Sequence, residues 1–198
     1  MAAAGDAETR RGMRPIRLPL ALVTVLLALL CAAPAAVAGA PASCPGATVA
    51  PSQASPSSVR GATLCLVNRE RAQRGLGRLR TNRSLQAAAS RYAGRMSRQD
   101  FFAHVAPDGS SMVDRIRRTA YLRGSVRRWT VGENLAWGAG RRATPQQTVA
   151  AWMASPGHKA NILARGFAEI GIGVTLGAPV RGHAHAATYV TNFGTRVR

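Results

Sequence analysis

From Val59 onward the apolar residues recur at helical spacing. Val59, Ala62, Thr63, Leu66 and Val67 share one face of a helix predicted over Ser57–Gly75, with Arg69, Glu70, Arg71 and Arg74 on its wet side. Leu76–Arg80 reads as a connector. Asn82 or Ser84 caps a second helix over Leu85–Ser97, whose stripe is Leu85, Ala88, Ala89, Tyr92 and Met96. After the turn Pro107-Asp108-Gly109, Ser110 or Ser111 caps a third helix through Val113, Ile116 and Ala120. Trp129–Gly138 alternates in part and predicts an extended segment. Thr144-Pro145 starts a fourth helix with Val149, Trp152 and Met153 on its apolar face. Ser155-Pro156-Gly157 breaks that helix and leaves His158 on a turn. Ala168–Thr175 and Ala186–Phe193 alternate as strands, joined by a loop over Gly177–His185. Helices come first and strands later, an order that predicts an α+β fold with a mixed, mainly antiparallel sheet under packed helices.

The N-terminus departs from this pattern. Arg10, Arg11, Arg14 and Arg17 precede an apolar run over Leu18–Ala33, and small residues follow at Ala36-Val37-Ala38. That is the pattern of a secretory signal peptide over residues 1–38, cleaved near Ala38, with an uncleaved membrane anchor as the alternative. Residues 39–58, rich in Pro and Ser, read as an irregular arm, and residues 59–198 as one domain. Export makes the thiols informative. With Cys31 in the leader, Cys44 and Cys65 are left as a pair, and a disulfide between them would tie the arm to the first helix.

Charge changes the picture less than its size suggests. The net charge is +19, and Lys159 is the only lysine. The arginines are scattered from Arg60 to Arg198, and no nucleic-acid recognition motif accompanies them, so a specific nucleic-acid partner is not expected. Electrostatic contact with anionic polymers or lipid head groups is. Carboxylates are few: beyond the leader they are Glu70, Asp100, Asp108, Asp114, Glu133 and Glu169, the last read as solvent-facing. No G-x-S-x-G elbow supplies a nucleophile.

Three polar residues in turn or strand contexts are candidates for chemistry: His104 in FFAHVAPDG, Glu133 in VGENLAWG and His158 in ASPGHKANIL. Trp137 and Trp152 read as core, and His183 and His185 as loop decoration. The ordered set CLVNRERAQRGL, His104, GENLAW, AWMASPGHKANIL, FAEIGIGV and TYVTNFG resembles the CAP superfamily. This is the family of cysteine-rich secretory, antigen 5 and pathogenesis-related 1 proteins, also called SCP-like, and the resemblance is to its compact bacterial branch. It covers about residues 60–195.

The resemblance implies a three-layer α–β–α sandwich. It also implies a cleft whose two histidines and two glutamates can hold a divalent metal such as zinc. His104, Glu133 and His158 match three of these, and Gly171 falls where the motif has a strand glycine. Ser155 stands where the second glutamate would be, so the tetrad is incomplete and zinc affinity weak. Asn134, Ser155 and Asn161 are expected to support the cleft. The expectation is a monomeric, secreted binding or structural module of the cell envelope or extracellular space. The alternatives are a metal-assisted, peptidase-like hydrolase and a small lipid- or sterol-binding protein.

Overall fold

The computed structural model describes residues 43–198. The leader expected at residues 1–38 lies outside them. The elements are α1 (Pro56–Ala72), β1 (Arg80–Thr81), α2 (Arg83–Arg98), α3 (Met112–Arg117), β2 (Arg128–Ala139), α4 (Pro145–Ala154), α5 (Pro156–Leu163), β3 (Glu169–Leu176) and β4 (Ala186–Val197). The helix starts follow local chemistry. Ser55 caps α1, Asn82 caps α2 and Thr144 caps α4, each by a side-chain oxygen accepting from a first-turn N–H. Ser111 and Asp114 form a reciprocal capping box on α3.

The strands form one sheet in the order β1–β3–β4–β2, antiparallel except for the short parallel pairing of β1 with β3. β1 lies in what the sequence reads as a connector. Two residues carry no periodicity to read, and this strand is specified by its partner: Arg80 N–H donates to Ala168 O and Asn82 N–H to Ile170 O. β4, bonded on both sides, is buried from Ala186 through Gly194. That explains its near-continuous apolar and threonine run.

Alternation along β3 sorts the layers. Ile170 and Ile172 join Val59, Leu66, Val67, Trp152 and Ile162 in a core beneath α1, α4 and α5. Gly171 and Gly173 point the other way, against α2. A Cβ on Gly171 would lie 2.0 Å from Gln86 N, and one on Gly173 2.3 Å from Ala89 C. Helix α2 therefore rests directly on the strand backbone. Tyr92, Ala89 and Met96 of α2 meet Leu135 and Val190 of the sheet, and Leu85 and Ala88 meet Ile116 and Tyr121. The result is helices on both faces of the sheet, the expected sandwich. Gly171→Ala should push α2 off β3 and destabilise the protein by about 3 kcal/mol. Chemical denaturation checks this, and near-native stability would mean that α2 can retreat freely.

Cys44 and Cys65 are disulfide-bonded, with Cα atoms 5.6 Å apart. The described part of the arm is irregular apart from one 3-10 turn at Pro51–Gln53. It is docked, however: Ala47 O accepts from Gln146 N at 2.9 Å, and Pro51 is buried. Among the described residues no helix is long and apolar enough to cross a membrane.

Two expectations about polar positions are corrected. Arg71 is buried, on the same face of α1 as Val67. Its guanidinium donates to the carbonyls of Gly77, Ile162, Ala164 and Phe167 at 2.7, 2.7, 2.9 and 3.4 Å. Glu169 is half-buried, accepting from Asn82 Nδ2 and Tyr121 Oη at 2.8 Å each. Trp152 is core as expected, but Trp137 is half-buried and packs its ring against His183 at 4.9 Å.

Candidate functional site

His104 lies in the loop between α2 and α3, and that loop is pinned on both sides of it. Tyr92 Oη donates to Ala103 O at 2.6 Å, and Arg115 Nη1 donates to His104 O at 3.1 Å and Ser110 O at 2.9 Å. Further along, Asp108 Oδ1 accepts from Ser110 N and Oγ, and Oδ2 pairs with Arg95 at 2.9 Å. The Ser110 hydrogen bonds, with Arg95 behind them, hold the Asp108 carboxyl well below the usual carboxylate range. The imidazole is thus presented on a rigid frame.

Glu133 sits in the middle of β2 with its side chain almost fully buried. Two groups compensate its charge. Arg115 Nη2 donates to Oε1 and Oε2 at 3.0 and 2.8 Å, and His104 Nδ1 lies 2.9 Å from Oε1. Arg115 is itself buried, its Cζ 3.3 Å from the centroid of the Tyr92 ring. An ionised carboxylate only accepts, so Nδ1 of His104 carries the proton and Nε2 is left as the outward group. More than half of the His104 side chain is exposed. Beside it lies an open groove of about 290 Å³ lined by His104, Val105, Ser111, Met112, Val113 and Glu133. Ser111 Oγ is bound to Asp114 Oδ2 at 2.6 Å.

His158 occupies the first turn of α5, not a turn between helices as its sequence context predicts. Pro156 and Gly157 begin that helix instead of interrupting the chain, with Ser155 at the N-cap position. The Ser155 side chain makes no cap bond; its backbone links the two helices, N–H to Trp152 O and O to Lys159 N–H. Asn134 Nδ2 donates to His158 O at 3.0 Å, and Asn161 Nδ2 donates to Glu133 O at 3.2 Å and Asn134 Oδ1 at 2.9 Å. The two asparagines therefore lash α5 to β2. Trp152 Nε1 adds a bond to Leu135 O at 2.9 Å.

Successive side chains of a strand point to opposite faces. Glu133 faces α2 and α3, whereas Asn134 faces α5. The Glu133 carboxylate and the backbone of His158 thus lie on opposite sides of β2, which is the sheet's edge. Burial first, and the His104 imidazole second, lower the His158 pKa.

Below the ordinary imidazole pKa of about 6.5 the unfolded chain takes up a proton that the folded His158 ring does not. Stability should then fall as pH drops through that value and level off below the folded pKa. NMR titration should place the His158 midpoint under the ordinary value and move it upward in His104→Ala. A midpoint at or above the ordinary value would contradict this.

The residues present do not fit the three-ligand zinc site that the resemblance implies. Both oxygens of Glu133 are engaged by Arg115, whose positive charge would also oppose a cation. Among the described residues no group of three or more His, Cys, Asp or Glu side chains is placed to hold a metal ion. Glu133 instead orients His104 from behind, the part an outer-shell carboxylate plays. Arg115 is the site residue that sequence reading misses. The buried Glu133 demands a cation, but nothing along the chain says which of the many arginines supplies it.

The family model of the cysteine-rich secretory protein family (CAP) matches residues 64–193. The chain is 34% identical over 126 residues to the protein YkwD of Bacillus subtilis (strain 168), covering 64% of this chain and 45% of that protein. It therefore spans less than half the length of that relative. Among solved structures, an outer surface protein of Borrelia burgdorferi superposes with a TM-score of 0.54 at 22% identity, over 66% of this chain and 87% of that one. An extracellular protein containing an SCP domain from Bacillus anthracis superposes with a TM-score of 0.53 at 22% identity, over 71% of this chain and 43% of that one. At such identity the two structures speak to the fold alone.

Proposed function

Because the chain belongs to the cysteine-rich secretory protein (CAP) family, we propose that it is an exported binding module of the cell envelope or extracellular space. Its recognition surface is the groove beside His104. The observation that carries this reading is the engagement of Glu133: with Arg115 and His104 both on its oxygens, that carboxylate is not free to serve as ligand or general base. What the groove offers is one polar contact, His104 Nε2, above an apolar shelf of Val105, Met112 and Val113. Such a surface suits a ligand that donates one hydrogen bond and lays a small apolar group beside it. The leader pattern at residues 1–38 supports export.

The test is binding of the full chain to isolated cell-envelope material, for wild type, His104→Ala and Val105→Asp. Both positions are exposed, and Arg115 still holds both Glu133 oxygens in His104→Ala; thermal melts confirm that each variant is folded. Each should weaken binding by about tenfold. Zinc-dependent hydrolysis of a protein substrate, lost in His104→Ala, would overturn the reading in favour of a hydrolase.

A further inference from the structure

The outer face of α2 carries a second feature, one that the groove beside His104 does not use. Arg91, Arg95 and Arg98 are spaced four and three residues apart and so line one side of the helix. Arg118, just past the end of α3, faces the same hollow. These residues surround an open hollow of about 330 Å³ that is also lined by Ala88, Tyr92 and the buried Arg115.

Two of the guanidiniums there are already neutralised, Arg95 by Asp108 and Arg115 by Glu133. Arg91, Arg98 and Arg118 make no ion pair among the described residues, and all three are exposed. Three uncompensated positive charges around one concave site repel one another, and an anion in the hollow relieves that repulsion.

We propose that this hollow is a binding site for a phosphate group. Three arginine side chains around one hollow, two from α2 and one from just past α3, suit a tetrahedral oxyanion, whose several oxygens can each accept a paired contact; a carboxylate offers only two. The site is small, in the range of small-molecule pockets. Its one aromatic ring, Tyr92, is buried beneath Arg115, so no face is left for stacking a base. The phosphate therefore comes from a small ester or a head group. This differs from the diffuse attraction that a +19 chain exerts on any polyanion, because it depends on three named side chains.

The experiment measures binding of the full chain to glycerol 3-phosphate by calorimetry, and to vesicles of phosphatidylglycerol in phosphatidylcholine, at fixed ionic strength. Three proteins are compared: wild type, the pocket variant Arg91→Gln/Arg98→Gln/Arg118→Gln, and a charge-matched control, Arg78→Gln/Arg83→Gln/Arg165→Gln. The control positions are exposed and lie away from the hollow. All six are surface residues, and thermal melts confirm that each variant is folded.

Saturable binding to either probe, weakened about tenfold or more in the pocket variant and less than about threefold in the control, is the expected result. Binding to the soluble ester assigns the source as a free phosphate ester; saturable binding to vesicles alone assigns it as a lipid head group. Equal losses in the two variants, or no saturable binding to either probe, would overturn the proposal.

Discussion

Arg115→Met should destabilise the protein by about 3–5 kcal/mol, because it strands a buried carboxylate. The side chains of Arg115 and Glu133 are 8% and 2% exposed. Removing the guanidinium takes away both of its contacts to Glu133, takes the Arg115 donor from the His104 carbonyl, and leaves the Ser110 carbonyl only the Ala106 N–H. His104 alone remains on the carboxylate, and it contacts a single oxygen. The loop carrying His104 should loosen as well, since one of its two pins is gone.

Urea denaturation gives the stability, and amide exchange across residues 99–111 gives the loosening. The double variant Arg115→Met/Glu133→Leu removes both charges and should recover much of the loss, as replacement of whole buried ion pairs often does. A single variant as stable as wild type would mean that water reaches Glu133 and that the pair is not a structural unit.

The second large effect is expected at Arg71. Its guanidinium satisfies four carbonyls, three of them at the end of α5 or in the segment leading to β3. Burial lowers its pKa, but no carboxylate is needed to hold it there; the carbonyl dipoles offset the desolvation. Arg71→Leu takes this donor from the buried carbonyls of Ile162 and Phe167 and from the more accessible ones of Gly77 and Ala164, at a cost on the order of 4 kcal/mol. Arg71→Lys should recover little, because an ammonium cannot reach four acceptors laid out for a planar fork. Thermal unfolding of both variants checks this. Full rescue by lysine would show that charge alone, without the fork geometry, suffices.

The contrast between these arginines and the rest of the chain shows where the sequence is legible. Helix starts are local, and Ser111, Asn82 and Thr144 mark them correctly because a cap depends on residues three positions away. The long strands are legible for the same reason, as alternation is a property of the strand itself. β1 is not, because two residues pair only where β3 presents an edge. Arg71 could have been found: it continues the Val59–Val67 face by one turn, but residue type argues against burial and outweighs position. Glu169 is hidden similarly, its partners Asn82 and Tyr121 being distant in sequence.

His158 is a different kind of case. Pro at the first position of a helix is as favourable as Pro after the end of one, and the motif alone does not choose between a break and a new start. The candidate residues were identifiable by their motif and order. The role of Glu133 depends on which face of β2 it occupies and on Arg115, neither of which a single sequence reveals.

The most direct test of the site is an NMR titration of the full chain with zinc at neutral pH, following the His104 and His158 ring nitrogens and the Glu133 side-chain carboxyl carbon. His104 Nδ1 should carry its proton throughout, and the Glu133 resonance should stay where it is. One equivalent of zinc shifting the Glu133 carboxylate together with both imidazoles would contradict it.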